Sequence, residues 1–115
     1  MLFTGDIEEI AEKNIIQEYR NNLQIFKSTM LKVGHHGSKT SSMEDFIEAV
    51  KPKIALIGVG QNNKFGHPSD EVLERLVNFG CKIYRTDQMG EIMINIDNKG
   101  RIKVKKFIEQ EKKIN

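Results

Sequence analysis

The chain has 115 residues, 38% hydrophobic and 30% charged, which places it with single-domain globular proteins and leaves little room for a two-domain catalytic cleft. Eighteen Lys and Arg against sixteen Asp and Glu leave a formal charge of +2, too small to argue for nucleic acid or a membrane surface by net charge. One cysteine, Cys81, excludes an internal disulfide and fits a reducing, cytoplasmic setting, and the longest apolar run, Ile54 to Gly60, is far short of the ~20 residues that span a bilayer.

Met1 to Thr4 predicts a short strand ending in a Gly5-Asp6 turn, after which Ile7, Ile10, Ala11 and Ile15 recur at helical spacing to about Tyr19. Residues 20–28 are polar and lead to a second strand, Thr29 to Val33, which stops at Gly34-His35-His36-Gly37-Ser38. Ser42 with Asp45 three residues on reads as a capping box, opening a helix whose Phe46, Ile47, Ala49 and Val50 face the core and which Pro52 ends. Ile54 to Val59 is continuously apolar and rich in β-branched residues, the pattern of a strand covered on both faces and parallel to its neighbours. A loop from Gly60 to Pro68 follows. Ser69 then caps a helix with the stripe Val72, Leu73, Leu76 and Val77, and Gly80 stops it.

Beyond Lys82 three short segments, Ile83 to Thr86, Glu91 to Ile96 and Ile102 to Phe107, alternate and are separated by the turn signals Met89-Gly90 and Asp97-Asn98-Lys99-Gly100, which predicts an antiparallel meander. The order βαβαβαβββ predicts one α/β domain over residues 1–108 with a charged tail at 109–115. From Lys99 to Asn115 there are seven basic residues and two acidic ones. An edge strand blunted by lysines and a solvated tail is the plain reading of that bias, and a footprint for a polyanion the alternative.

In α/β sheets the loops at the carboxyl ends of strands converge on the ligand crevice. All three histidines fall in such loops, His35 and His36 after the second strand and His67 before the last helix, and Asp6 and Lys64 occupy comparable positions. Asp and His are ligands that zinc or manganese accepts at neutral pH, and an Asp can bridge two metals. Spacing alone leaves open both a metal centre and loop histidines that fix turns. Asp87, in Thr-Asp-Gln between two strands, suits turn chemistry better than metal binding.

The words themselves are more specific. Phe3-Thr4-Gly5-Asp6, Leu31-Lys32-Val33-Gly34-His35-His36-Gly37-Ser38-Lys39-Thr40-Ser41-Ser42, Val50-Lys51-Pro52-Lys53-Ile54-Ala55, Gly66-His67-Pro68-Ser69 and Tyr84-Arg85-Thr86-Asp87-Gln88, in this order, resemble the metallo-β-lactamase fold. Within it they look most like the hydrolase domain of the DNA-uptake proteins of ComEC type, from about Leu2 to Ile96. The resemblance implies that Asp6 is a bridging metal ligand and His36 a terminal one. It casts His35 as a substrate-side neighbour and proton carrier, a role that could be exchanged with that of His36. His67 would face the same crevice as a second catalytic histidine, with Lys64, Ser38 and Ser69 on the substrate side and the start of the Ser69 helix as an anion seat.

The family holds its metals chiefly through a His-x-His-x-Asp-His segment, which this sequence lacks. The chain is therefore expected to be the carboxyl-terminal half of an αββα sandwich, with a mixed sheet, a two-metal Zn or Mn site that is weak or absent in this chain alone, and no hydrolase activity by itself. Its expected partners are the missing amino-terminal half or a second copy, with a phosphoester or nucleic acid as substrate in the complete form. Full-length relatives are expected to include membrane proteins. The rival expectation is a non-catalytic α/β module that binds a partner or nucleic acid through the basic 99–115 segment or an uncovered sheet face.

Overall fold

The computed structural model describes residues 1–108. Four parallel strands, β1 (Leu2–Phe3), β2 (Met30–Lys32), β3 (Ile54–Ile57) and β4 (Lys82–Arg85), lie side by side in chain order. Three helices connect them: α1 (Glu9–Glu18), α2 (Glu44–Val50) and α3 (Asp70–Asn78). A short helix α4 (Thr86–Met89) leads into a separate antiparallel hairpin of β5 (Ile92–Ile96) and β6 (Ile102–Lys106). Single 3₁₀ turns cover Leu23–Phe26 and Gly34–Gly37.

Because the strands are added in one direction and such crossovers are right-handed, all three helices fall on the same face of the sheet. That face carries Leu31, Val33, Ala55, Ile57 and Val59, which pack with Phe46, Ile47 and Val50 of α2 and Val72 and Leu76 of α3 into one core. The opposite face carries the in-register row Phe3, Lys32, Leu56 and Tyr84. The hairpin approaches it: Lys106 lies 6.0 Å from the Tyr84 ring, and Ile92 and Ile94 share a cleft with Phe3, Lys32 and Leu56. Phe3 remains 69% exposed there.

The α/β class, β3 buried on both faces and parallel to its neighbours, and the Ser69 cap agree with the sequence reading; the expected mixed sheet does not form, since the four-stranded sheet is all parallel and the antiparallel strands make a separate hairpin. Ser69 Oγ accepts from the Val72 amide at 3.3 Å, and Gly80, at φ +79°, follows the end of α3. Four details differ. The segment expected to open an antiparallel meander is β4, paired in parallel with β3, so the antiparallel part is a two-stranded hairpin. Thr86–Met89 is helical, where a turn was expected. Ser42 does not cap α2; its φ is +56° and Met43 occupies the cap position without a side-chain bond. Ile10 and Val77, expected on buried stripes, are exposed, because Glu12 takes the innermost position of α1 and α3 buries only Val72 and Leu76 fully. The expected tail, 109–115, lies outside the described residues, as do Lys112 and Lys113 of the basic segment.

Among the described residues no helix is long and apolar enough to cross a membrane.

Candidate functional site

With four parallel strands, the segments after β1, β2, β3 and β4 all emerge at one edge of the sheet, and they bring Asp6, His35, His36, Lys64 and His67 to that edge. The loops are bound to one another by backbone. The His35 amide donates to Gly5 O at 2.9 Å, and the Ser69 amide donates to Gly37 O at 2.9 Å. Gly34 packs on the first loop so closely that a Cβ there would sit 3.0 Å from Thr4 Oγ1 and 3.2 Å from Gly5 O. At Gly37 a Cβ would come within 2.6 Å of Pro68 Cβ, so only glycine lets the His67 loop approach.

His35 (φ 49°), His36 (φ 54°) and Gly37 (φ +81°) are three successive residues in the left-handed region. For a non-glycine residue this conformation is unfavourable and persists only where the surroundings fix it. Its effect is to place two consecutive imidazoles at the sheet edge, His36 exposed and His35 partly buried. The ring of His35 lies 5.8 Å from that of His67 and 6.5 Å from that of His36.

The three histidines differ in their partners. His36 is exposed, and its Nδ1 lies 2.7 Å from Gly58 O. A backbone carbonyl only accepts, so Nδ1 carries the proton, and in the neutral ring Nε2 is then the lone-pair atom, the tautomer that metal-ligating histidines use. His35 Nδ1 is buried and stands 3.1 Å from Glu8 Oε2, but outside hydrogen-bond geometry, which leaves it unsatisfied. The half-buried His67 is held below the ordinary imidazole range, first by burial and then by the charges of His35 and His36.

The remaining expected site residues are placed as follows. Asp6 is exposed in the turn between β1 and α1. Lys64 is exposed in the loop that also carries His67. Ser38 is buried, and its hydroxyl is engaged within its own loop, 2.9 Å from Thr40 Oγ1 and accepting from the Thr40 amide at 3.3 Å. The Ser69 hydroxyl is engaged as the α3 cap. Asp87, expected in a turn, lies in α4 instead, and its carboxylate is held by Arg85 through two bonds, Nε to Oδ1 at 3.0 Å and Nη2 to Oδ2 at 2.7 Å.

Among the described residues no three His, Cys, Asp or Glu side chains converge closely enough to hold a metal ion. Zinc centres use three or more protein ligands. The described residues therefore show no such three-ligand set, although His36 Nδ1 is fixed by a backbone carbonyl as in ligating histidines.

Several residues that shape this edge carry no motif. Glu12 of α1 is 2% exposed, and its carboxylate accepts from the Ser42 amide at 2.5 Å and the Met43 amide at 2.8 Å. Arg75 of α3 grips the same loop by its carbonyls, with Nε donating to Ser42 O at 3.0 Å and Nη2 to Ser41 O at 3.2 Å. Thr86 Oγ1 accepts from the Val59 amide at 2.8 Å and donates to Val59 O at 2.9 Å, tying the end of β4 to the end of β3. Asn63 organises the His67 loop from within: its Nδ2 donates to His67 O at 2.6 Å and its Oδ1 accepts from the His67 amide at 2.9 Å. The available signals were a glutamate placed three and four residues before the apolar Ile15 and Ile16, and an Asn within a glycine-bearing loop.

Comparison with known proteins places the chain within longer ones. It is 40% identical over 98 residues to ComE operon protein 3 of Bacillus subtilis (strain 168), an alignment that covers 85% of this chain and 12% of that protein. It is 36% identical over 116 residues to Competence protein ComA of Neisseria gonorrhoeae, covering 97% of this chain and 16% of that one. Recombination protein 2 of Haemophilus influenzae is 35% identical over 100 residues, covering 83% and 11%. The chain is thus homologous to one part of these proteins and spans only a small fraction of their length. No family model matches it, and no solved structure does.

Proposed function

We propose that this chain is the carboxyl-terminal part of a hydrolase domain of the metallo-β-lactamase fold, belonging to a DNA-uptake protein of ComEC type and acting on phosphodiesters of nucleic acid with zinc or manganese. The observation that carries this reading is the loop at Gly34–Gly37, where His36 Nδ1 is committed to Gly58 O and the ring of His35 lies near those of both His36 and His67. The homology to part of two competence proteins supports the link to DNA uptake. Asp6 and His36 are the donors this chain contributes, and the rest come from another segment of the same polypeptide or from a second copy. His35 and His67 are the groups that meet a phosphate or carry a proton, and Lys64 adds a positive charge beside them.

The test is metal uptake by the chain and by its Asp6→Ala and His36→Ala variants, alone and joined to a segment bearing His-x-His-x-Asp-His. The expected result is loose binding by the chain alone, tight binding with phosphodiesterase activity when joined, and loss of both in either variant. A joined protein that folds but neither binds metal nor cleaves a phosphodiester overturns the proposal.

A non-catalytic binding module is the second reading, favoured by the hairpin. Lys103 and Lys105 pair with Asn95 and Met93 on the hairpin face opposite Ile92 and Ile94, so two cations stand in a row on that face. Under this reading Lys103→Gln with Lys105→Gln abolishes salt-dependent binding of single-stranded DNA in metal-free buffer; unaltered binding refutes it.

A further inference from the structure

We infer that Phe65 is a stacking platform for an unpaired nucleobase, which would lay a single-stranded nucleic acid across the histidine edge; this rests on the reading of the chain as part of a nucleic-acid phosphodiesterase. Phe65 is 78% exposed, in a loop that is otherwise polar. Its ring is stacked on that of His67, with centroids 5.8 Å apart and planes inclined by 29°. His67 in turn lies 5.8 Å from His35, so Phe65 is two ring-to-ring steps from the centre of the cluster.

The exposure is built. The Phe65 amide donates to Asn63 Oδ1 at 3.2 Å, and Asn63 also binds Gly60 O at 3.2 Å and both backbone groups of His67, so one side chain fixes the loop on either side of the phenyl ring. A flat aromatic surface held in that way beside a cation such as Lys64 is what sequence-tolerant single-strand binding uses: bases stack on the ring while basic side chains follow the phosphates. Bases inside a duplex have their faces covered by their neighbours, so this platform selects an unpaired or terminal base.

The chain contains no tryptophan, so Phe65→Trp places a single reporter at the platform. The probes are a ten-residue oligothymidylate and an abasic strand of the same length, both at low salt. Quenching of the Phe65→Trp fluorescence by oligothymidylate and not by the abasic strand is expected. Phe65→Ala is expected to weaken oligothymidylate binding by about 10-fold or more and to leave abasic binding unchanged. Absence of quenching, equal quenching by the abasic strand, or self-association of the wild-type chain that Phe65→Ala reverses each overturns the platform, the last by assigning Phe65 to a protein contact. The imidazole NMR signals of His35 and His67 separate the two levels. If they move on adding either strand while the reporter stays silent, the platform fails and the phosphodiesterase reading stands; if neither responds, both fail.

Discussion

Replacing Glu12 tests how the histidine edge is held. The segment Ser38–Met43 leaves the His35–His36 turn and runs into the protein, with Ser38, Ser41 and Ser42 all buried. Buried backbone groups need partners. Here the carboxylate of Glu12 takes the amides of Ser42 and Met43, while Arg75 takes the carbonyls of Ser41 and Ser42, so that the loop lies between an anion and a cation. Glu12→Ala strands two buried amides at about 1–3 kcal/mol each, partly offset by removal of a buried charge, for a net loss of about 2–4 kcal/mol. Glu12→Gln keeps one acceptor oxygen and loses about half as much. Burial raises the Glu12 carboxyl above its ordinary range, against the lowering effect of the Met43 and Ser42 amides and of Arg75. The folded state therefore binds more protons than the unfolded state between the ordinary value and the raised one. That contribution to stability is complete below the ordinary glutamate range and is lost as pH rises through the raised value. Urea unfolding of wild type and both variants from pH 4 to 8 measures this, the difference between wild type and Glu12→Gln isolating Glu12 from other carboxylates. A Glu12→Ala loss below about 0.5 kcal/mol, or a difference that grows in wild type's favour with rising pH across that window, refutes the account.

Gly37→Ala forces a Cβ against Pro68 at φ +81° and should cost upwards of about 2 kcal/mol, whereas Gly100→Ala, at φ +79° in open space, should cost about 1 kcal/mol; thermal unfolding of the pair separates crowding from backbone strain. Thr86→Val is nearly isosteric and removes both bonds to Val59, so it should lower stability by about 1–3 kcal/mol and speed hydrogen exchange at the Val59 amide. His67 titrates below its ordinary range, so the folded state binds fewer protons than the unfolded one between the lowered value and that range, and the corresponding stability is lost as pH falls through it. His35→Gln removes one of the charges responsible, and an imidazole NMR titration should show His67 moving up; an unchanged midpoint refutes the coupling.

Much of this arrangement is legible in the sequence because its causes are local. Apolar runs that stop at glycine-bearing loops gave away the strand ends, and with them the edge at which all three histidines meet. Ser69 could be read as a cap because its partner, Val72, is three residues away. Ser42 was misread because the group that caps that loop, Glu12, lies thirty residues earlier in another helix, beyond any local pattern. The meander was misread for a related reason: Lys82–Arg85 has the same short alternation whether it pairs with β3 or with β5, and the choice is made by packing on α3 and on the Cys81 side of the core. The left-handed turn at His35 and His36 had only a weak signature, since histidine is enriched at positive φ but far less decisively than glycine, and two in succession depend on partners distant in the chain.

That turn is where the physical argument converges. Two successive non-glycine residues in the left-handed region cost on the order of 1–3 kcal/mol each, and nothing in the tetrapeptide itself repays it. The compensation comes from outside: Gly5 O receives the His35 amide, Gly58 O receives His36 Nδ1, and the Gly37 carbonyl receives the Ser69 amide. Beyond them, Glu12 and Arg75 anchor the segment into which the turn runs. These groups come from the first and third crossovers, so the imidazoles can be aimed only when α1 and α3 are both docked on the one sheet face. The geometry of the histidines is therefore a property of the whole α/β layer, and substitutions at Glu12 or Arg75, which touch no histidine, should disturb it as surely as changes beside the rings.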